Sequence, residues 1–304
     1  MKALVLGGNG FIGSHVVDHL LAEGHSVRVF DRSMEKFRQP LVQVDYHLAT
    51  FDDVPALAEA MEGVDVVYHL ISTTVPSTSN KDAVYDVESN LVGTIKLLNL
   101  IRDSKVSRIV YLSSGGTVYG VPDSSPIPES HPLRPICSYG VVKVAIENYL
   151  RMYHRLYGLE YTVLRVSNPY GERQGHVGVQ GVVGTFMGKV LDHQPIEIWG
   201  DGRIVRDFIY IGDLADLCVK VGVSHQVGVF NAGSGIGSTI RNIVTTLSAV
   251  SEQVIQPQYS VGRSYDVPEV TLDIKKVKKI FQWTPEVSLL AGMQKTWKWM
   301  VQMK

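Results

Sequence analysis

The sequence is poor in cysteine, in long apolar runs and in charge of one sign, and each shortage excludes a class of protein. Two cysteines, Cys137 and Cys218, occur in 304 residues, too few for a disulfide framework or a cysteine-rich metal site. The net charge of −1 offers no basic surface to nucleic acid or to membranes. No apolar stretch approaches the roughly 18 residues of a spanning helix. We therefore expect no metal, nucleic acid or membrane partner.

What the sequence does contain is typical of a globular enzyme. Hydrophobic residues make up 45% of the chain and charged residues 19%, which is enough apolar surface for a substantial core. The length suggests one large or two smaller domains. The chain starts with a strand-like run and without the pattern of a signal peptide, so we expect a cytoplasmic location.

Apolar runs of strand length alternate with helical patterns in the first half of the chain. The predicted strands are Ala3–Leu6, Val27–Phe30, Val42–Tyr46, Val64–His69, Arg108–Ser113 and Tyr161–Val166. The predicted helices are Phe11–Glu23, Val54–Met61, Val84–Arg102 and Ser138–Tyr157. This alternation predicts an α/β fold with a doubly wound parallel sheet of the Rossmann type. Ligands of such sheets bind beyond the carboxyl ends of the strands.

Glycine and proline become frequent after about residue 168, which indicates a loop-rich substrate-binding region. We therefore predict an NAD-binding domain over residues 1–167. A smaller domain over 168–304 would be mainly substrate-binding, with about 206–232 returning to the first domain.

Three glycines follow the first predicted strand in the spacing Gly-x-x-Gly-x-x-Gly. Gly7 permits a tight turn, Gly10 leaves room for a pyrophosphate, and Gly13 lets the helix pack closely on the sheet. The first helical amides, near Phe11 and Ile12, then face the phosphates. An ordinary glycine-rich turn is the alternative, but the strand–turn–helix context favours a dinucleotide site.

The second predicted strand leads directly into Asp31, where this fold places a carboxylate against the adenosine ribose. A carboxylate accepts hydrogen bonds from both ribose hydroxyls and repels a 2′-phosphate, so Asp31 favours NAD over NADP. Arg32 is the opposing signal, because a guanidinium can receive that phosphate. A plain turn residue is the alternative for Asp31.

Tyr139 and Lys143 are four residues apart in a predicted helix, which places them on one face, one turn apart. A tyrosine normally loses its proton near pH 10, but a lysine ammonium and a positively charged nicotinamide favour the phenolate. Tyr139 is therefore a candidate general acid/base, and Lys143 a candidate ligand of the nicotinamide ribose. Alone, this spacing is very weak evidence, because most instances lie on surface helices. Its position in a chain with the glycine turn favours the functional interpretation.

A serine- and glycine-rich segment, residues 112–120, completes the fifth predicted strand and extends beyond it. It brings the hydroxyls of Ser113, Ser114 and Thr117 to the carboxyl edge of the sheet. There they could hold a substrate oxygen that becomes a ketone. A turn that only satisfies backbone groups is the alternative.

These motifs resemble those of the extended short-chain dehydrogenase/reductases, in particular the nucleotide-sugar 4-epimerases. The resemblance covers essentially the whole chain. The matching motifs are Gly7-Gly-Asn-Gly-Phe-Ile-Gly, Asp31, Tyr68-His-Leu, Asn90 with Gly93-Thr94, Ser113-Ser-Gly-Gly-Thr-Val-Tyr-Gly, Tyr139-x-x-x-Lys143, Arg165-Val-Ser-Asn-Pro-Tyr-Gly, Gly200-Asp-Gly, Arg206-Asp-Phe-Ile-Tyr-Ile-Gly-Asp-Leu and Phe230-Asn-Ala-Gly-Ser-Gly.

The resemblance implies a role for further residues. Arg206 and Arg263 would bind the diphosphate of a nucleotide sugar, where permanently charged guanidinium groups suit phosphate oxygens. Asn168 would contact the phosphate region, and Asp266 the nucleotide ribose. The remaining implied contacts are Leu70, Asn90 and Ser113 at the cofactor and Thr73 at the substrate.

One departure from the family pattern concerns the catalytic hydroxyl. The family's Ser or Thr usually lies four residues before the tyrosine of Val-Tyr-Gly, and this chain has Gly115 there. Ser114, Thr117 or a water must then supply the hydroxyl. We favour Thr117, because the two glycines before it can bend the chain toward the substrate.

Other departures affect the cofactor contacts and the type of reaction. Thr73 and Thr74 stand in a segment that often reads His-Leu-Ala-Ala, and they add polarity near the cofactor. Thr50-Phe51 replaces an aspartate expected at the adenine. Gly116-Thr117 replaces the Asp-Glu pair of the dehydratases, which favours epimerisation.

The resemblance therefore implies an NAD-dependent epimerase that inverts C4 of a UDP-sugar through a transient 4-keto sugar. The sugar is of the glucose/galactose type, N-acetylated or uronic. Alternatives are a reductase, a decarboxylase, an epimerase at another carbon, or a non-catalytic nucleotide-binding protein. The resemblance also implies a homodimer formed by the helices at 84–102 and 138–157. The apolar stripe Leu91, Ile95, Leu98 and Ile101 would face either the partner or the chain's own sheet.

Overall fold

A computed structural model describes residues 1–175, 181–262 and 267–304. The strands are β1 (Lys2–Leu6), β2 (Ser26–Asp31), β3 (Val44–Leu48), β4 (Val66–His69), β5 (Arg108–Ser114), β6 (Glu160–Val166), β7 (Asn168–Tyr170), β8 (Glu197–Trp199), β9 (Val205–Tyr210), β10 (Gly228–Ala232), β11 (Gly237–Thr239), β12 (Gln258–Ser260) and β13 (Glu269–Val270). The helices are α1 (Phe11–Ala22), α2 (Val54–Ala60), α3 (Ala83–Asp86), α4 (Gly93–Arg102), α5 (Ser138–Tyr157), α6 (Val182–Leu191), α7 (Ile211–Val223), α8 (Ile240–Ser251), α9 (Lys275–Phe281) and α10 (Leu289–Met303).

Seven strands form the main sheet in the order β10-β6-β5-β4-β1-β2-β3. The pairs β1–β2, β1–β4, β2–β3 and β4–β5 are all parallel. The strand order reverses between β1 and β4, and in such sheets the ligand lies at the carboxyl ends beside the reversal. The predicted α/β fold with a doubly wound parallel sheet is confirmed.

The predicted strands and helices are present, with two informative differences. The third strand is displaced by two residues, because Val44 bonds back to Leu41 in a turn and Val42 is fully exposed. The predicted helix 84–102 is divided into α3, a π-helical segment (Val87–Val92) and α4. Apolar residues recur at helical spacing through all three pieces. Periodicity alone therefore does not show where the α-helix gives way to the π-helix.

The chain divides into two compact units. The first unit contains residues 1–118, 133–165 and 215–230, and the second contains 119–132, 166–214 and 231–304. Residues 215–230 thus belong to the first unit and residues 119–132 to the second. Its core joins strand residues such as Leu4 and Tyr111 to helix residues such as Leu97 and Ile146. This core fixes the carboxyl edge of the sheet against α4 and α5.

The second unit is organised by short strands and one buried carboxylate. β9 pairs with β7, β11 and β13, and β8 pairs with β12. Asp207 of β9 is fully buried and accepts hydrogen bonds from Ser234, Gly235 and Leu272. Burial raises the pKa of Asp207. These bonds hold two segments, the loop at Ser234–Gly235 and the chain at Leu272, beside β9.

Candidate active site

The glycine turn between β1 and α1 has the geometry of a phosphate cradle. Gly7 has a φ of 81°, and its carbonyl accepts from the Gly10 N–H at 3.1 Å. A Cβ atom on Gly13 would lie 2.1 Å from the Gly7 oxygen, so no side chain fits there. Gly10 is the N-cap residue of α1 and has no side chain to cover the first helical amides. These amides remain directed toward an anionic ligand.

Asp31 lies at the end of β2, beside the glycine turn. Its Oδ2 accepts from the Asn9 N–H at 3.0 Å and its Oδ1 from the Ser33 N–H at 3.4 Å. These bonds fix the carboxylate at the wall of a cavity of about 840 Å³ in the first unit. Gly7, Gly10, Asp31, Arg32, Leu70 and Thr73, all assigned to ligands from the sequence, line this cavity.

The same cavity has an apolar wall that the sequence analysis did not identify. Phe51 lies over Gly93, where a Cβ atom would meet the ring at 2.8 Å, and its ring centre is 5.2 Å from that of His69. Asp52 and Lys96 add charged groups to the wall. A glycine cradle, a carboxylate at the cavity wall and an apolar wall together fit a dinucleotide such as NAD. Gly93 was the signal in the sequence, because a glycine inside a helical pattern indicates that another group packs closely against the backbone there.

Tyr139 and Lys143 lie near the start of α5, one turn apart. Nζ of Lys143 is 5.3 Å from the centre of the Tyr139 ring and donates to the Leu112 carbonyl oxygen at 2.9 Å. Burial lowers the pKa of Lys143 to about 8, while Glu147 and Asp86 act in the opposite direction. Burial raises the pKa of Tyr139 to about 12, and the Ser72 hydroxyl acts in the opposite direction. At neutral pH the free protein therefore pairs a cationic lysine with a neutral phenol.

The hydroxyls of the serine motif lie in different surroundings. Ser113 is buried, and its Oγ donates to Glu147 at 2.6 Å; Glu147 also binds Arg165 at 2.7 Å. Ser114 is half-buried. Oγ1 of Thr117 is shielded from solvent and finds no hydrogen-bond partner among the described residues. Ser113 therefore contacts the middle of α5 through Glu147. Ser114 and Thr117 are the remaining candidate donors.

A buried carboxylate that the sequence analysis missed holds the start of α5. Asp86 is fully buried and accepts from Thr74 at 2.6 Å, Asn90 at 2.9 Å and Ser138 at 2.6 Å. Ser138 directly precedes Tyr139, so this network fixes the position of the phenol. Asn90, expected at the cofactor, lies in the π-helical segment, and its Oδ1 accepts from the Thr73 N–H at 2.9 Å. Its amide therefore attaches the segment after β4 to the helix.

The second unit contains a separate pocket of about 490 Å³. Asn168 and Arg206, both predicted to bind substrate, line it. Asn168 donates to the Asp207 carbonyl oxygen at 2.8 Å, and Arg206 donates to the Val205 and Val267 carbonyl oxygens at 2.8 and 2.7 Å. The pocket walls also include Phe186, Lys189, Trp199 and Phe208. Arg263 and Asp266, also assigned to the substrate, lie outside the described residues.

Two further features were sought in the described part of the chain, a group of metal-ligating side chains and a membrane-spanning helix. Across residues 1–175, 181–262 and 267–304, no three His, Cys, Asp or Glu side chains are grouped to hold a metal ion. The same ranges contain no helix with the length and apolar character that a membrane span requires.

Comparison with known proteins identifies the family. Residues 3–233 match the model of the NAD dependent epimerase/dehydratase family. A putative UDP-glucose 4-epimerase of Methanocaldococcus jannaschii is 34% identical over 303 residues, which cover 98% of this chain and 97% of that protein. The crystal structure of the UDP-glucose 4-epimerase of Thermotoga maritima with UDP-glucose superposes with a TM-score of 0.95, at 33% identity, covering 100% of this chain and 99% of the other.

Relatives with a different reaction match over the same length. A dTDP-4-dehydro-6-deoxyglucose reductase of Escherichia coli is 30% identical over 302 residues, covering 96% of this chain and 95% of that protein. The family is therefore certain, whereas identity at this level is compatible with several reactions on nucleotide sugars. The chain belongs to the NAD-dependent epimerase/dehydratase family of extended short-chain dehydrogenase/reductases, whose cofactor is NAD.

Proposed function

We propose that this protein is an NAD-dependent epimerase that inverts C4 of a UDP-sugar. The observation that carries the proposal is the approach of Lys143 to Tyr139, 5.3 Å from Nζ to the ring centre, in the unit that contains the dinucleotide cavity. NAD, when bound, supplies a hydride acceptor and donor. The similarity to UDP-glucose 4-epimerases over the full length supports C4 of a UDP-sugar as the site of reaction.

Tyr139 carries the proton in this proposal. The phenol must lose its proton before it can accept one from the C4 hydroxyl, and its pKa of about 12 in the free protein is too high for that at neutral pH. The ammonium of Lys143 and the positive charge of an oxidised nicotinamide both favour the phenolate. After the 4-keto sugar turns over, Tyr139 returns the proton to the C4 oxygen. The net reaction leaves the sugar's oxidation state unchanged.

We further propose that the pocket of the second unit binds the nucleoside diphosphate. Arg206 brings a permanent positive charge to the pocket, and Lys189 a second cation. Trp199, which is 45% exposed, provides an aromatic face on which a base can stack. This chemistry suits an anionic diphosphate attached to a planar base. The sugar is of the glucose/galactose type, N-acetylated or uronic, and substrate screening distinguishes these candidates.

The test is to incubate the NAD-loaded protein with UDP-, GDP- and dTDP-sugars and to follow C4 inversion by proton NMR. We expect a UDP-sugar to reach an equilibrium mixture of C4 epimers without a continuous change in nicotinamide absorbance. Tyr139→Phe is the matched control, since it removes only the proton-carrying oxygen. Steady consumption of NAD(P)H would instead support a reductase, the alternative that the Escherichia coli relative suggests.

A homodimer is proposed for the same enzyme, through α5 and the helical segments around α3. Of the predicted apolar stripe, Leu98 and Ile101 belong to the chain's own core and Leu91 packs against it. The exposed apolar residues of these elements instead include Tyr85, Val87, Val92 and Val141. Exposed apolar side chains gathered on neighbouring elements favour contact with another protein surface.

A further inference from the structure

The buried ammonium of Lys143 has little polar compensation among the described residues. Lys143 is 6% exposed, and its hydrogen bond within that part of the chain runs from Nζ to the Leu112 carbonyl oxygen at 2.9 Å. Glu147, one turn further along α5, is instead bonded to Arg165 at 2.7 Å and to Ser113 at 2.6 Å. A buried charge is costly unless other groups replace the water that it has lost. A further group must therefore stabilise the ammonium.

The face of the Tyr111 ring is such a group. Nζ of Lys143 lies 4.7 Å from the centre of the Tyr111 ring, closer than it lies to the centre of the Tyr139 ring at 5.3 Å. A cation within about 6 Å of a ring centre is attracted to the electron-rich face, most strongly where water is excluded. Tyr111 is fully buried, so water does not compete for this contact.

Packing, rather than the hydroxyl group, holds the Tyr111 ring. The ring centre lies 5.3 Å from that of His69, and the His69 ring packs in turn on Phe51 of the cavity wall. Oη of Tyr111 is shielded from solvent and has no hydrogen-bond partner among the described residues. Burial raises the pKa of Tyr111 well above its ordinary value, so the ring stays neutral. A buried hydroxyl without a partner destabilises the fold, and the useful part of Tyr111 is therefore its ring.

We propose that Tyr111 is a positioning residue, whose ring face keeps the ammonium of Lys143 charged and in place beside Tyr139. This inference rests on the proposed function, in which that ammonium favours the phenolate. Tyr111 forms no covalent bond, exchanges no proton and acts only through Lys143.

The charged and titratable groups around Lys143 are consistent with this role. Glu147 of α5 and Asp86 of α3 both favour the ammonium, but burial outweighs them and lowers the pKa of Lys143 to about 8. His69 of β4 adds no repulsion at neutral pH, because burial lowers its pKa to about 3. The loss of one favourable contact would therefore bring the titration of Lys143 into the neutral range.

The direct test is a pH titration of Lys143 in the NAD-loaded protein, followed by NMR of lysine labelled with ¹³C at Cε. The Lys143 resonance is assigned by its absence in Lys143→Met. We expect Tyr111→Leu to lower the midpoint by about one pH unit, because the ammonium loses the ring face. Tyr111→Phe keeps the ring and should leave the midpoint in place. Tyr111→trifluorophenylalanine keeps the ring but makes its face less electron-rich, so it should also lower the midpoint.

Tyr68→Leu is the matched control. Tyr68 is also fully buried in the main sheet, and its Oη also lacks a partner among the described residues. In the register of β4 against β5, His69 lies opposite Tyr111 and Tyr68 lies opposite Val110, so Tyr68 and Tyr111 stand on opposite faces of the sheet. Tyr68→Leu removes an equal ring at a distance from Lys143 and should leave the midpoint in place.

The activity measurement separates this inference from the proposed function. Because the phenolate needs the ammonium, activity should be lost as the pH rises through the Lys143 midpoint. In Tyr111→Leu the alkaline limb of kcat/KM should therefore move to lower pH by the same amount as the NMR midpoint. Tyr111→Phe should keep the wild-type profile.

An unmoved or raised midpoint in Tyr111→Leu, or an equal shift in Tyr68→Leu, overturns the inference. A midpoint that falls while the alkaline limb stays in place overturns it too. If Tyr111→Leu does not fold, Tyr111→trifluorophenylalanine decides, and an unmoved midpoint there has the same meaning. If the wild type inverts no UDP-sugar while Tyr111→Leu lowers the Lys143 midpoint, the proposed function fails and the contact between Tyr111 and Lys143 stands.

Discussion

Nζ of Lys143 lies 5.3 Å from the centre of the Tyr139 ring, and both groups are held in the first unit against β5. Burial moves the two pKa values apart, that of Lys143 down to about 8 and that of Tyr139 up to about 12, because it disfavours the charged form of each group. In the free protein the phenol therefore stays neutral at neutral pH. A cationic nicotinamide would push the balance toward the phenolate.

Replacing Lys143 by methionine should reduce turnover by about 10²- to 10⁴-fold and weaken NAD binding. Methionine keeps a long apolar stem in the buried site, so the protein should remain folded, whereas alanine would leave a cavity. Initial rates, fluorescence titration with NAD and a thermal melt provide the three measurements. Unchanged rate and NAD affinity in a folded variant would show that this face of α5 has another role.

Asp31→Ala should relax the discrimination against NADP and also weaken NAD binding. The carboxylate lies at the wall of the dinucleotide cavity, where it would repel a 2′-phosphate. Calorimetry gives the binding constants for NAD and for NADP, and their ratio measures the discrimination. A ratio equal to that of the wild type would mean that Asp31 does not contact the ribose. Arg32→Ala is the companion variant, because Arg32 would be the group to receive the phosphate.

Thr117→Val tests the hydroxyl that the sequence favoured. Oγ1 of Thr117 is buried and unpaired among the described residues, so the isosteric valine should raise the free energy of unfolding by about 1 kcal/mol. If Ser114 or a water supplies the hydroxyl instead, turnover should stay near the wild-type level. A loss of about 10²- to 10³-fold would instead identify Thr117 as the donor to the C4 oxygen. Denaturant unfolding and initial rates measure the two effects separately.

His69 should make the free energy of unfolding depend on pH in acid. Burial lowers the pKa of His69 to about 3 in the folded protein, with Lys143 adding to the effect, whereas an unfolded histidine titrates near 6.5. Below about pH 6.5 the unfolded chain binds a proton that the folded chain does not. Stability from this group should therefore fall by about 1.4 kcal/mol per pH unit until about pH 3. Denaturant unfolding at a series of pH values measures this slope. In His69→Gln the free energy of unfolding should depend on pH less steeply, by about 1.4 kcal/mol per pH unit between about pH 3 and 6.5.

The proposed dimer should weaken when a charge enters its face. Val141 is 53% exposed on α5, so Val141→Glu costs little in the monomer but would bury an unpaired charge in a dimer. Light scattering over micromolar concentrations should show a dimer for the wild type and more monomer for the variant. A wild-type monomer throughout that range would contradict the dimer.

The sequence by itself determined the elements whose signals are local. The glycine spacing specified the turn between β1 and α1, since a Cβ atom at Gly13 has no room. Apolar runs located the six strands of the first half, because a strand buried on both faces must be apolar along its length. The position of Asp31 followed from the end of β2. The family, with its NAD cofactor, followed from these motifs in their order.

Only the tertiary structure decided which polar groups meet. The Ser138 hydroxyl donates to Asp86, which lies 52 residues away in the sequence, and the Ser113 hydroxyl donates to Glu147, 34 residues away. Apolar periodicity indicates which face of an element is buried, but it carries no information about which buried polar group lies opposite. The partner is set by strand order and by the winding of the helix around Asn90, and these emerge only when the whole sheet is packed.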